Sequence, residues 1–356
     1  MDRISSLQII GSKSFGGAER WFQRFSLELA AMGHPTQLAL RRGYELETSD
    51  WQGLVSHPLA MHTVWDPVSR REISRLIKRL KPDLVQTYMG RATRLTHLRP
   101  GRDPVHLARI GGYYRLDGYR HAQAWIGNTR GICDYLLQNG FPAERIFHIY
   151  NFFEPPLETQ ETASRRQWGI PDDAWVLMTP GRLVPVKGQR YLLEAFARLP
   201  LELVDRPLRL LVLGDGPLGE QLKALSRSLG LEDRVIWAGW QNSTAGFYRM
   251  ADMVVFPSQD EETFGNVILE AWAFRRPLVS TAFRGAREIL RPDQDAVMVP
   301  CQDPDALAAG IRRVLESLDL QREMTEAGCR RLESDFSKTA VMQQYIELYS
   351  RLIGQR

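Results

Sequence analysis

The chain has 356 residues, 44% of them hydrophobic and 25% charged. That is the make-up of a globular protein, and at about 150 residues per domain the length asks for two domains. No run approaches the roughly 20 apolar residues that span a bilayer, and the formal charge of +4 divides into +6 over residues 1–160 and −2 over the rest.

The opening, MDRISSLQIIGSKSFGG, has no signal-peptide pattern. Cys133, Cys301 and Cys329 are widely spaced and odd in number, so they offer neither a disulfide framework nor a zinc spacing. A cytoplasmic location is expected. The basic first half is expected either to expose solvated helix faces or to meet an anionic acceptor or membrane face. Nucleic acid is set aside as a partner, because no aromatic-basic motif or recognition helix accompanies the charge.

In chain order, SLQII predicts a strand, GSKSFGG a glycine-rich turn, and residues 18–32 a helix with Trp21, Phe25 and Leu29 on its apolar face. PTQLAL predicts a second strand. Residues 69–81 place Ile73, Leu76, Ile77 and Leu80 at helical spacing, and Pro82 ends that helix. Residues 66–105 hold ten Lys/Arg against four acids, so this helix is expected to turn a basic face outward. LVQTYM, HLARI and AWIGN follow as strands. Residues 151–172, with Pro155 and Pro156, read as the linker. A second alternating series follows: WVLMTPGRL, helix 188–199, LRLLVLGDG, helix 217–229, RVIWAGW, MVVFPS, helix 266–274, PLVST, helix 285–290, AVMVP and helix 304–317. TAVMQQYIELYSRLI closes the chain as a helix. Apolar runs of this kind suit buried parallel strands, and the alternation predicts an α/β protein of doubly wound sheets. The expected domains are 1–160, 161–336, and a closing helix, 337–356, packing back toward the first. Such folds bind ligands at the carboxyl ends of their strands, and two facing ones are expected to line a deep cleft.

The chemistry-bearing residues fall on predicted strand-to-helix turns. EETFGNVILEAWA holds Glu262 and Glu270 with seven residues between them, preceded by VFPSQDEE and followed by RRPLVST. Glu262 falls in the predicted turn and Glu270 one turn into the helix that follows, where both carboxylates can accept hydrogen bonds from a ligand. Phe264, Gly265, Asn266 and Val267 open a helix whose N–H groups suit a phosphate. In GRLVPVKGQ, Arg182 and Lys187 follow a strand; GSKSFGGAER places Gly16 and Gly17 before a helix; LGDGP and WAGWQN bring Gly214 and Trp240 to successive strand ends.

This set, close over residues 175–317 and looser before, resembles retaining glycosyltransferase family 4 of the GT-B fold. The resemblance implies Arg182 and Lys187 gripping a donor diphosphate, Glu262 anchoring the donor sugar, Glu270 and the helix start at Gly265 holding the nucleotide, Gly214 and Trp240 near the base, and Gly16 and Gly17 contacting the donor from the other domain. It implies a nucleotide-sugar donor, a glycan or lipid-linked acceptor, front-face displacement, and no metal or cofactor; PDD at 171–173 lies in a predicted loop. The sequence departs from the family where many members carry a His: Gly111 and Gly112 stand there, while His106 and His121 read as structural. The GGYY segment is similar to a subgroup acting on bacterial cell-surface glycans, lipopolysaccharide or exopolysaccharide. A nucleotide-sugar 2-epimerase and a non-catalytic nucleotide-sugar-binding homologue share the fold and stand as alternatives.

Overall fold

A computed structural model describes residues 3–13, 16–155 and 163–355. The chain divides into two units. One runs to Asn151 and takes in the residues from Thr339 onward; the other is Phe152–Lys338. Pro156, within the expected linker, lies outside the described residues.

The first unit is built on β1 (Ser6–Ile10), α1 (Gly17–Ala31), β2 (Thr36–Arg41), β3 (Ser56–Leu59), α2 (Pro67–Leu80), β4 (Leu84–Tyr88), α3 (Met89–Leu95), β5 (Val105–Ile110), β6 (Ala124–Gly127), α4 (Arg130–Gln138) and β7 (Ile146–His148). Its sheet has the order β3-β2-β1-β4-β5-β6-β7, with parallel pairings throughout the described residues. Every residue of β1 and β4 is buried, the mark of a sheet covered on both faces. Helix α2 starts where Asp66 accepts a hydrogen bond from the Val68 N–H (3.0 Å), with Pro67 as its first residue. It stops at Lys81 in a left-handed conformation (φ 48°), followed by Pro82. Ile73, Leu76 and Ile77 pack against Leu7, Ile9 and Val85 of the sheet. Of the basic residues expected outward, Arg71, Arg75, Lys78, Arg79 and Lys81 are exposed. Arg70, Arg91 and Arg94 are half-buried instead, because the fold uses two of them to satisfy backbone carbonyls: Arg70 donates to Arg94, and Arg91 to Met61 and His62.

The closing helix, residues 338–354, is anchored in this unit by Tyr345 and Tyr349, both fully buried. Gln8 and Gln86 sit inside the sheet at 0% exposure. The Tyr349 hydroxyl donates to Gln86 Oε1 (2.9 Å), and the Tyr88 hydroxyl to Gln8 Oε1 (3.0 Å). Tail and sheet thus satisfy amides that would otherwise be buried unpaired.

Three histidines collect beside α3. His106 is fully buried with Nε2 3.0 Å from Thr87 Oγ1, and His121 Nε2 donates to the carbonyls of Thr93 and Thr96. His97 stacks on His121 at 4.1 Å, with Arg70 as the nearby cation. These contacts are structural. Burial lowers all three pKa values, that of His106 to about 3 with repulsion from its two neighbours adding to the effect. The fold therefore holds neutral rings that the unfolded chain would protonate below about pH 6.5. Stability is full above that pH and is lost as pH falls toward 3, at about 1.4 kcal/mol per pH unit for His106 alone. Urea unfolding at pH 7.5 and 5.5 should show a lower midpoint at 5.5, with a smaller difference in His106→Gln. Equal midpoints in the wild-type protein would contradict this.

The second unit comprises β8 (Trp175–Pro180), α5 (Gln189–Ala197), β9 (Glu202–Leu203), β10 (Arg206–Leu213), α6 (Gly219–Ser228), β11 (Val235–Gly239), α7 (Ala245–Met250), β12 (Met253–Phe256), α8 (Asn266–Ala273), β13 (Leu278–Thr281), α9 (Arg284–Ile289), β14 (Val297–Val299), α10 (Pro304–Leu315) and α11 (Leu318–Asp335) before the closing helix α12 (Lys338–Gly354). Its sheet order is β11-β10-β8-β12-β13-β14, with β9 antiparallel on β10. Leu177, Leu210, Val255 and Val279 from the strands meet Leu192, Phe196, Ile311 and Val314 from the helices in one core. Helix α11 has no counterpart in the sequence reading. Only Met324 and Gly328 are buried along its 18 residues.

Candidate active site

In a doubly wound sheet the ligand crevice lies where the strand order reverses. In the second unit the chain runs from β8 outward through β10 and β11, then returns to lay β12 on the other side of β8. The turns after β8 and β12 therefore flank the crevice. Arg182 and Lys187 leave the first turn and Glu262 the second.

Backbone bonds fix the first turn. The Leu183 N–H donates to the Asp215 carbonyl (2.9 Å), the Leu218 N–H to the Leu183 carbonyl (3.1 Å), and the Gln259 N–H to the Val186 carbonyl (2.7 Å). Two glycines allow these segments to touch. At Gly214 (φ 135°) a Cβ would stand 2.1 Å from the Gly181 oxygen, and at Gly188 (φ 64°) 1.9 Å from the Pro257 oxygen. Gly214 thus holds two turns together by close packing.

The result is a convergence of charge. Lys187 Nζ lies 2.5 Å from Glu262 Oε2, although the two are 75 residues apart, and Ser258 Oγ is 3.5 Å from the same oxygen. Both side chains of the pair are largely covered, 22% and 15% exposed. Arg182 is exposed, and its guanidinium makes no hydrogen bond or ion pair among the described residues. One cation is thus held in place by a carboxylate while a second stands ready for an anionic group.

Helix α8 begins at Asn266, with Gly265 (φ 81°) as its N-cap. Glycine is needed here for packing as well as conformation: a Cβ would sit 2.7 Å from Phe256 Cε1 and 2.8 Å from Phe283 Cζ. The side chains of Phe264 and Val267 are buried, so what they can offer a ligand is backbone N–H. Glu270, one turn along, accepts a 2.5 Å hydrogen bond from the Tyr248 hydroxyl on α7. Tyr248 and Ser258, which orient the two glutamates, carried no signal in the sequence, because each reads as part of an apolar helix or strand end. Trp240 follows β11 at 46% exposure. Among the described residues no group of three His, Cys, Asp or Glu could hold a metal ion.

Gly16 and Gly17 belong to the first unit. Gly16 is the extended N-cap of α1 (φ −151°), its carbonyl accepts from the Arg20 N–H (2.9 Å), and Gly17 is the first helical residue. Neither has a positive φ, so the backbone alone does not demand glycine at either place.

Residues 15–155 match the family "Glycosyltransferase Family 4" and residues 160–331 "Glycosyl transferases group 1". Among curated proteins the chain is similar to the lipopolysaccharide core biosynthesis glycosyltransferase LpsE of Rhizobium meliloti, 32% identical over 340 residues, covering 94% of this chain and 95% of that one. It is also similar to LpsD of the same organism, 28% identical over 358 residues, covering 96% and 97%. Among solved structures, Anabaena HepE in complex with UDP and glucose superposes with a TM-score of 0.83 at 20% identity, covering 98% of this chain and 100% of that one. With family matches across both Rossmann-like units and 32% identity to LpsE along nearly its whole length, the chain belongs to glycosyltransferase family 4 and is a glycosyltransferase of the GT-B fold.

Proposed function

We propose that the enzyme moves a sugar from a nucleoside diphosphate sugar, UDP-linked in the first instance, to a glycan or lipid-linked acceptor of the lipopolysaccharide core kind, with retention of configuration and without a metal ion. The observation that carries this is the pairing of Lys187 with Glu262 at 2.5 Å beside an uncommitted Arg182. As the bond between the anomeric carbon and the phosphate oxygen breaks, negative charge grows on the diphosphate. Arg182, Lys187 and the N-terminus of α8 meet it with positive charge already in place. The acceptor oxygen forms its bond to the anomeric carbon on the face that the diphosphate leaves, and the departing phosphate oxygen takes the acceptor proton. Glu262 anchors the sugar and Glu270 the ribose; Gly214 and Trp240 border the base; Gly16 and Gly17 approach the donor from the first unit. The similarity to LpsE and LpsD supports the acceptor class, and HepE with UDP supports the donor. The test is transfer from a panel of UDP-, GDP- and ADP-sugars to truncated lipopolysaccharide in excess EDTA. Full turnover in EDTA is expected, while loss restored by magnesium or manganese would overturn the metal-free reading.

The acceptor class places the enzyme at the cytoplasmic face of an anionic membrane in this reading. Arg71, Arg75, Lys78 and Arg79 line the exposed side of α2, and Trp65, 68% exposed, precedes it. Among the described residues no helix is long and apolar enough to cross a membrane. Each basic residue near an anionic surface adds about 1 kcal/mol, fading within about 8 Å at physiological salt. Co-sedimentation with anionic vesicles should weaken with salt and in an Arg71→Gln, Arg75→Gln, Lys78→Gln variant. Equal binding to neutral vesicles would remove this proposal.

A further inference from the structure

We infer that the carboxyl ends of β5 and β6 carry an acceptor subsite for an anionic group, a carboxylate or phosphate on the acceptor glycan, gripped by Arg109 and Asn128 at Gly111. The assignment of an acceptor rests on the transferase reading above; the anion site itself rests on the first unit alone.

Arg109 is 5% exposed near the end of β5. Its Nε donates to the Tyr345 hydroxyl (3.2 Å), one terminal nitrogen donates to Asn151 Oδ1, and the guanidinium lies over the Trp21 ring at 4.7 Å. Each of these partners is neutral. Among the described residues no carboxylate reaches ion-pairing distance of Arg109; Glu19, which lies within electrostatic range of the nearby Tyr114, stops short of it. A buried cation framed by neutral groups is costly to keep unless an anion completes it.

The free end of the guanidinium shows where that anion goes. Arg109 Nη1 lies 3.7 Å from the point that a Cβ on Gly111 would occupy, and Asn128 Nδ2 lies 3.7 Å from the same point. Two N–H donors thus flank the space left by a missing side chain. Asn128 is 4% exposed and its Oδ1 has no hydrogen-bond partner. The carboxamide is thus incompletely satisfied, and the edge it turns toward Gly111 is the N–H edge that suits an anion. Gly111 has no positive φ, so its backbone does not require glycine. What glycine supplies is room, at a half-exposed position between a guanidinium and an amide. The Tyr114 ring folds against Gly112, 3.0 Å from where a Cβ there would stand, and provides an aromatic wall for the sugar that bears the charge.

Gly111→Ala is the decisive variant. Its methyl would make ordinary contacts at 3.7 Å, so the fold should survive, yet it would occupy the place of the bound anion. The full-length enzyme, saturated with UDP so that the donor site is filled, is titrated with glucuronate, glucose 6-phosphate and glucose, with melting temperature as the readout. An upward shift with glucuronate or glucose 6-phosphate but not glucose, absent in Gly111→Ala and in Asn128→Asp, is expected. The probe that works tells carboxylate from phosphate. In turnover, both variants should raise the acceptor KM by about 10-fold or more with the donor KM unchanged, the effect of losing hydrogen bonds to a charged group. No response to either anionic probe, an equal response to glucose, or a change confined to the donor KM would overturn the subsite. A wild-type enzyme that responds to the probes yet transfers no sugar would instead overturn the transferase reading and leave the anion site standing.

Discussion

Replacing Arg182 or Lys187 by alanine should lower turnover by about 100-fold or more, in line with loss of a preorganised group aimed at developing charge. The two variants differ in an informative way. Arg182 is exposed and its guanidinium makes no hydrogen bond or ion pair among the described residues, so its removal should leave stability within about 0.5 kcal/mol of wild type. Lys187 also neutralises Glu262, and Lys187→Ala leaves that largely covered carboxylate beside only the Ser258 hydroxyl. Its activity should fall at least as far, with a visible stability cost. If the cations act on charge that appears only in the transition state, kcat and kcat/KM fall together. A rise in donor KM alone would recast them as ground-state binders, and wild-type rates would remove the diphosphate clamp altogether.

The second large effect concerns the fold of the clamp. Gly188→Ala should destabilise the protein by about 2–5 kcal/mol, combining a left-handed backbone cost of about 1–2 kcal/mol with an overpacking cost of about 1–3 kcal/mol. The methyl would stand 1.9 Å from the Pro257 oxygen and 2.4 Å from Gln259 Nε2. Neither can retreat freely, because the Gln259 N–H holds the Val186 carbonyl in the same crossing. Gly230 gives the control: its φ is 67°, nothing lies within 4 Å of its Cβ position, and Gly230→Ala should cost only the backbone share. Urea denaturation of both variants reads the difference. Equal losses would show that close packing between the two turns contributes nothing, and the account of how Lys187 is placed would fail.

What could be read in advance follows from where physics leaves a periodic trace. Most buried strands and the longer helices that cover them came through as apolar runs and 3.6-residue spacing, with helix ends displaced by one or two residues, as at α5 and α6, whereas the short elements β3, β7, α3, α4 and α7 did not. Helix α11 left no such trace. It docks through one methionine and a gap rather than an apolar stripe: Met324 enters the core, and a Cβ on Gly328 would lie 2.2 Å from Trp272 Cδ1, so glycine lets the helix sit on the indole while most of QREMTEAGCRRLESD is polar. The glutamates, arginine and lysine of the site were legible because their spacing within strand-to-helix turns resembles a family pattern. Their supports were not. Tyr248 meets Glu270 across 22 residues, and Tyr345 meets Arg109 across 236, pairings that only the tertiary fold creates. Arg109 and Asn128 hid inside apparent strand segments, where alternation says a residue is buried but not what it faces.

The most direct test of the central claim is the configuration of the product. The enzyme is incubated with an α-linked nucleotide sugar and its acceptor in EDTA, and the anomeric proton and carbon of the new linkage are read by NMR. Front-face displacement held by Arg182, Lys187 and Glu262 predicts an α-linked product. A β-linked product would mean attack from the opposite face, which requires a protein base on the acceptor side, and would contradict the mechanism drawn from this site.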